Sequence, residues 1–279
     1  MTNPCLVDYH LHTSRCGHAV GGIGEYIDRA KTMGLTEIGF ADHLPLFHTI
    51  DATLAMSWDE LPLYLADIAK LKKSLAEPKV KLGIEVDFIP KYVDRIRAAL
   101  DDYDFDYILG AVHFVDGWGI DDRRYLDNYG AYKLEDLFER YFDLLVQAAR
   151  SGLFDVLAHA DLIKKYYQLT PEPLELFERA AAGLAETGIA IEVSSAGLRK
   201  PCREAYPGLE FLKICRRYEI PVTLGSDAHA PEQVGFRFKY LLEQLKAAGY
   251  SAIVTFEGRQ RRMVEIDWSL LERLPAGGD

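Results

Sequence analysis

The chain is expected to fold as an α/β protein whose strands close into a distorted seven-stranded (β/α)7 barrel, and three features carry that expectation. Seven short apolar runs recur along nearly its whole length. Between them, several stretches keep the 3.6-residue periodicity of amphipathic helices. Seven of the eight histidines, with one Glu and two Asp, stand at or just beyond the ends of those runs. Alternating strand and helix imply a parallel sheet with right-handed crossovers. Polar side chains gathered at strand ends are how a TIM-like barrel assembles one site from distant sequence.

The first run, Cys5 to Leu11, closes on His12, and the second, Ile38 to Ala41, closes on Asp42 and His43. Val80 to Val86 carries Glu85, Ile108 onward reaches His113, and Val156 onward reaches His159. Ile189 to Ser194 is the sixth run, and Pro221 to His229, holding Asp227, is the seventh. A loop through Gly21, Gly22 and Gly24 is read as entering a helix near Glu25. Ser57 and Glu60 have capping-box spacing before a helical pattern through Leu61, Leu65, Ile68, Leu71 and Leu75. Leu134, Leu137, Phe138, Tyr141, Leu145 and Ala148 continue helically until Ser151-Gly152. Thr170-Pro171 reads as the cap and first turn of a helix ending at Gly188. An eighth run, Ala252 to Phe256, ends in no ligand-type residue and is expected to continue or pad the sheet. Segments 44–58 and 114–133 lack clean periodicity and are expected as loops on the strand-end face, where substrate choice is usually set.

With 279 residues and no composition break, residues 1–279 are expected to form a single domain. A net charge of −11 argues against coating nucleic acid, which requires many phosphate-neutralising cations. It is compatible with a small phosphorylated substrate, because bound metal ions would dominate the local field. No signal peptide is expected, no run approaches membrane-spanning length, and the four cysteines form no C-x-x-C pair. The reading is a cytoplasmic protein with reduced thiols, no nucleic-acid or membrane partner, and an oligomeric state that the sequence leaves open.

In a strand, alternate residues share a face, so His10 and His12 can converge on one ion with Asp8 behind them. Gly17 lets the following loop turn and bring His18 back. His43, Glu85, His113, His159, Asp227 and His229 complete the set of imidazoles and carboxylates at run ends. Such donors suit borderline divalent metals: zinc, manganese or iron.

Taken in order, D-x-H-x-H, C-G-H, A-D-H, G-x-E, A-V-H, A-H and G-S-D-A-H resemble the motifs of the polymerase-and-histidinol-phosphatase (PHP) superfamily. Within it the chain is similar to the monofunctional histidinol-phosphate phosphatases, through Ser14 to Ala19 and Asp161 to Lys165 especially. The resemblance implies three divalent ions in a distorted seven-stranded barrel. His10, His12, Glu85 and Asp227 would hold the first. Glu85 would bridge to a second held by His113 and His159, and His18, His43 and His229 would hold the third. It implies a phosphomonoesterase that hydrolyses L-histidinol phosphate in histidine biosynthesis, with a metal-bridged hydroxide as nucleophile. A phosphodiesterase or exonuclease of the same superfamily and a non-catalytic metal-binding module are the alternatives.

Around that centre, Arg199 after the sixth run is expected to grip phosphate with its guanidinium, and Lys164 and Arg15 are further candidates. Asp42 and Asp161 are candidates for the general acid, with orientation of an imidazole as the other role and the favoured one for Asp8 and Asp42. Asp51, Asp116, Asp121 and Asp122 could each pair with a substrate ammonium, and His48 is placed on a loop surface.

Overall fold

In the computed structural model, which describes residues 5–275, the apolar runs become parallel strands buried on both faces. The strands are β1 (Val7–Leu11), β2 (Glu37–Phe40), β3 (Lys79–Asp87), β4 (Tyr107–Ala111), β5 (Val156–Leu157), β6 (Ala190–Ser194) and β7 (Val222–Gly225). They pair in sequence order, with Val7 opposite Glu37, Glu37 opposite Lys79, Gly83 opposite Tyr107 and Leu109 opposite Val156. Val156 then faces Ala190, and Ile191 faces Val222. The circle closes beyond the last strand: His12 N–H donates to the Ala228 carbonyl at 2.9 Å, and Ala228 N–H to the His10 carbonyl at 3.0 Å. The α/β barrel of seven strands is the architecture the sequence predicts.

Helices α1 (Ile23–Thr32), α2 (Leu61–Ser74), α3 (Val93–Asp101), α4 (Leu134–Arg150), α5 (Leu174–Ala185), α6 (Leu209–Arg217) and α7 (Phe238–Ala248) cover the outside. Each turns its apolar stripe to the strands; in α4 these are Leu137, Phe138, Tyr141, Phe142, Leu145, Ala148 and Ala149. Before α2, the Glu60 carboxylate accepts from both the Ser57 N–H and its hydroxyl at 2.9 Å. Helix α5 begins at Leu174, four residues after Thr170. The reason is steric: Thr170 and Glu172 each precede a proline, whose ring disfavours helical backbone at the residue before it. The segment 114–133 is not wholly irregular, since Phe114–Val115 pairs with Trp118–Gly119 and Arg123–Ala131 makes 3-10 turns. No helix among the described residues is long and apolar enough to cross a membrane.

The eighth run forms β8 (Ala252–Glu257), which pairs antiparallel with β9 (Gln260–Glu265) outside the barrel sheet. It pads the barrel instead of extending it. Thr223 Oγ1 donates to the Val254 carbonyl at 3.0 Å, and Arg259 N–H donates to the Asp106 carbonyl at 2.8 Å. The Phe256 ring lies 6.3 Å from Tyr9 and 6.2 Å from Tyr107, beneath the barrel interior. Tyr107 crosses that interior to donate to the Tyr9 carbonyl at 2.6 Å. The end opposite the histidines is thereby sealed with aromatic rings.

Candidate metal centre

Strand periodicity places His10 and His12 on one face of β1, both fully buried. Around them stand His18, His43, His113, His159 and His229. Ring centroids are 5.0 Å apart for His10–His12, 4.7 Å for His12–His43 and 4.1 Å for His12–His229. They are 4.5 Å apart for His18–His229 and 4.9 Å for His113–His159. Seven imidazoles separated by up to 219 positions, from His10 to His229, thus share one hollow.

Glu85 lies at its centre and divides the imidazoles between its two oxygens. Oε2 is 3.1 Å from His43 Nδ1, 3.3 Å from His10 Nε2 and 3.6 Å from His12 Nε2. Oε1 is 3.0 Å from His159 Nε2 and 3.8 Å from His113 Nε2. Asp227 Oδ1 approaches His12 Nε2 at 3.3 Å and His10 Nε2 at 3.8 Å. Burial raises the Glu85 carboxyl, but the imidazoles of His43 and His10 outweigh it and hold the group ionised, well below its ordinary range. Asp227 is held down in the same way by His229 and His10. Burial, with neighbouring imidazoles, keeps His12 well below its ordinary value and His229 at about 3. His113 goes the other way, to about 10, because the Asp87 carboxylate overcomes burial.

The donor set fits divalent cations. His10 Nε2, both nitrogens of His12, His159 Nδ1 and His229 Nε2 are buried with no hydrogen-bond partner, an arrangement that costs free energy unless something else satisfies them. Donor atoms of His18, His43 and His229 lie within 4.8 Å of one another, as do those of His10, His12 and Asp227. So do those of His12, His43 and Glu85, and of His43, Asp87 and His113. Neutral His12, His43 and His229 beside ionised Glu85 and Asp227 are the protonation states that metal coordination requires, whereas His10 and His113, raised by their carboxylate neighbours, would give up a proton to an incoming ion.

Behind the donors stands a layer of acceptors. Glu192 Oε1 accepts from His10 Nδ1 at 2.8 Å, which leaves Nε2 free to face Glu85, and its Oε2 accepts the His159 N–H at 2.9 Å. Gly225 makes the room, since a Cβ there would stand 1.8 Å from Glu192 Oε1. Asp87 Oδ1 bonds His113 Nδ1 at 2.8 Å. Asp42 accepts the Thr13 N–H and hydroxyl and stands 3.7 Å behind His12 Nδ1; burial lifts its carboxyl to about 7. Asp8, pushed to about 6 by burial, accepts from Ser226 N–H at 2.8 Å and Gly235 N–H at 2.9 Å, tying β1 to the loop after β7. Carboxylates in this position fix the tautomer and direction of ligating imidazoles.

The hollow opens into a cavity of about 850 Å³. Arg199 lines it; its Nη2 donates to the carbonyls of Ser226 at 2.8 Å and Asp227 at 2.9 Å, while Nη1 is buried without a partner. Lys165, Lys200, Asp121 and Tyr206 share the wall, with Lys165 Nζ 3.1 Å from Asp121 Oδ2.

Asp42 takes the role favoured for it beside an imidazole: it is sealed behind His12 and accepts from Thr13, which excludes the general-acid alternative. Three other predicted site residues lie elsewhere. Asp161 and Lys164 face away into a second cavity, where Lys164 Nζ is 2.8 Å from Asp161 Oδ2 and 2.6 Å from Glu204 Oε2. Arg15 pairs with Asp67 of α2 at 2.7 Å, outside the wall of the main cavity. His48, expected on a loop surface, is half-buried, edge-on to Phe114 at 4.5 Å. Asp87, Thr13 and Glu192 were not foreseen as site residues.

A model of the PHP domain matches residues 8–196, more than half of the chain, and the PHP-associated model matches residues 210–237. The chain belongs to the PHP family. A Deinococcus radiodurans protein named "probable histidinol-phosphatase" is 39% identical over 91% of this chain and 98% of its own length. The histidinol-phosphatase of Bacillus subtilis is 27% identical over 85% of this chain and 98% of its own. Among solved PHP-like folds, the histidinol phosphate phosphatase of Lactococcus lactis, crystallised with zinc, L-histidinol and phosphate, superposes with a TM-score of 0.77. It is 20% identical and covers 92% of this chain and 98% of its own, so the likeness speaks to the fold.

Proposed function

We propose that the protein is a metal-dependent phosphomonoesterase that hydrolyses L-histidinol phosphate to L-histidinol and phosphate. The observation that carries the reading is Glu85, whose two oxygens each meet a separate group of imidazoles within 3.0–3.8 Å, the arrangement a bridging carboxylate requires. The substrate is taken from the names of the relatives, above all the Deinococcus radiodurans protein.

In this reading three ions, drawn from zinc, manganese and iron, are held by His10, His12, Glu85 and Asp227, by Glu85, His113 and His159, and by His18, His43 and His229. Bound divalent ions would polarise phosphate oxygens and lower the pKa of water to about 7, supplying a nucleophile at neutral pH. The chain does the rest. Glu192 and Asp87 orient His10 and His113. Arg199 offers its free Nη1 to a phosphate oxygen, and Lys165 and Lys200 add charge to the same wall. Asp121 is half-buried, yet the Lys165 ammonium and His113 hold its carboxyl at about 2, so it stays ionised beside the cavity and can meet a substrate ammonium. Residues 1–279 act as one domain in the cytoplasm.

Purified protein is to be assayed with L-histidinol phosphate and with short oligonucleotides, alongside metal analysis. Hydrolysis of the monoester with at least two ions per chain is expected. Faster turnover of oligonucleotides overturns the substrate, and fewer than two ions without phosphatase activity favours a non-catalytic metal-binding module.

A further inference from the structure

We propose that Cys16, His12 and His229 together form a one-thiolate, two-imidazole site for a soft divalent cation, set into the metal centre but distinct from its three sets of oxygen and nitrogen donors. The proposal rests on the metal-centre reading and adds a donor which that reading does not use.

Cys16 ends the turn Ser14–Cys16 and is fully buried. Its sulfur and one ring nitrogen each of His12 and His229 lie within 4.8 Å of one another, close enough for a single ion to touch all three. Both nitrogens of the wholly buried His12 lack partners, as does His229 Nε2, so the imidazoles facing the thiol have lone pairs or protons to place. The turn is built to hold a sulfur there. Gly17 takes a left-handed φ of +84°, and a Cβ on it would stand 1.7 Å from the Ala52 carbonyl oxygen, so the loop is packed tightly in one position. That backbone directs the N–H groups of His18 and Ala19 at the Cys16 sulfur, while burial and the nearby Asp42 carboxylate push the free thiol up to about 12, so the cation itself has to displace the proton. The other cysteines have different settings: Cys5 lies by Thr36, Cys202 by the Gly197 carbonyl and Tyr206, and Cys215 inside α6.

Thiolate is a soft ligand and selects soft cations over manganese or magnesium. On binding, the sulfur forms its bond to the ion and the thiol proton passes to solvent. His12 and His229 are also drawn upon by the first and third ions of the proposed centre, so an ion held by this set competes with the phosphatase arrangement.

The test is dialysis of the full-length protein against cadmium chloride, with bound metal, ultraviolet absorption and 113Cd magnetic resonance measured on the same sample. Expected are bound cadmium, a cadmium–thiolate charge-transfer band and a resonance in the sulfur-ligated range. Cys16→Ser should still bind cadmium yet lose the band and that resonance, whereas the combined Cys5→Ser, Cys202→Ser, Cys215→Ser variant should keep both. Cadmium bound without a thiolate signal in the unaltered protein overturns the proposal while leaving the metal centre standing, and needs no variant to fold. A signal that survives Cys16→Ser overturns it as well. Absence of any bound cadmium overturns both the proposal and the centre on which it rests.

Discussion

Replacing Glu192 by Gln separates a role in holding metal from a role in packing. The side chain is buried, with Oε1 accepting from His10 Nδ1 at 2.8 Å and Oε2 accepting from His159 N–H at 2.9 Å. Glutamine keeps the shape but has one acceptor where two are needed. If the oxygen stays with His159, the new amide N–H meets His10 Nδ1, and relief requires the imidazole proton to move to Nε2. That nitrogen faces Glu85 and Asp227, and a proton on it removes the lone pair a metal would use. If the amide turns round, the His159 N–H is left buried and unpaired, costing about 1–3 kcal/mol. Loss of a partner that orients a ligating imidazole typically weakens metal binding by about 10–100-fold, equivalent to about 1.4–2.7 kcal/mol. Only the first route weakens metal binding; the second is a cost to the fold. Zinc affinity measured by competition with a chromophoric chelator should fall by about that factor in Glu192→Gln, with secondary structure unchanged by circular dichroism. Gly225→Ala should reproduce it, since its Cβ would stand 1.8 Å from Glu192 Oε1 and 2.8 Å from His10 Cβ. A Glu192→Gln protein that binds zinc within twofold of the parent would refute the reasoning.

Three further outcomes follow from the same geometry. Arg199→Ala and Arg199→Lys should both weaken competitive inhibition by inorganic phosphate, by roughly tenfold or more, because a single ammonium nitrogen cannot stand both where Nη2 meets the Ser226 and Asp227 carbonyls and where Nη1 stands unpaired; unchanged inhibition by Arg199→Lys would count against the clamp. Lys164→Met strands Asp161 among buried groups and should cost about 3–5 kcal/mol on chemical denaturation, with kcat of the folded enzyme retained. Burial opposes the Lys164 charge, but Asp161 and Glu204 outweigh it and raise its pKa, so the stabilisation is complete below the ordinary lysine value and is lost as pH rises through the raised one; Lys164→Met should flatten stability over that alkaline range. Chelation should lower the thermal midpoint by on the order of 10 °C, as expected for loss of a ligand present at about a thousand times its Kd, and a midpoint indifferent to chelator would argue against bound metal.

The barrel and the ring of imidazoles were legible because both follow from local rules. Apolar runs of strand length recur in order, and ligand-type residues cluster at their ends, so neighbouring strands bring those ends together. Asp87 could have been found by the same rule, since it stands two residues after Glu85 on the same strand. Glu192 was harder to see: it sits mid-run between Ile191 and Val193, and only the cost of burying a lone acid hints that it has a partner. Lys164 and Lys165 show where local rules stop. They are adjacent in one 3-10 turn, so one faces the cavity and the other turns away to Asp161, and composition is identical for both choices. The Ala252–Phe256 run was equally ambiguous, because its apolar character fits any buried strand, whereas its antiparallel pairing depends on the turn at Gly258 and the partner strand beyond.

The aromatic floor formed by Phe256, Tyr9 and Tyr107 governs traffic. With those rings packed across the far end, a substrate that enters at the histidine end would leave by the same mouth. In the proposed reaction the alcohol, lying outermost, would depart before the phosphate, and retained phosphate would compete with the incoming ester.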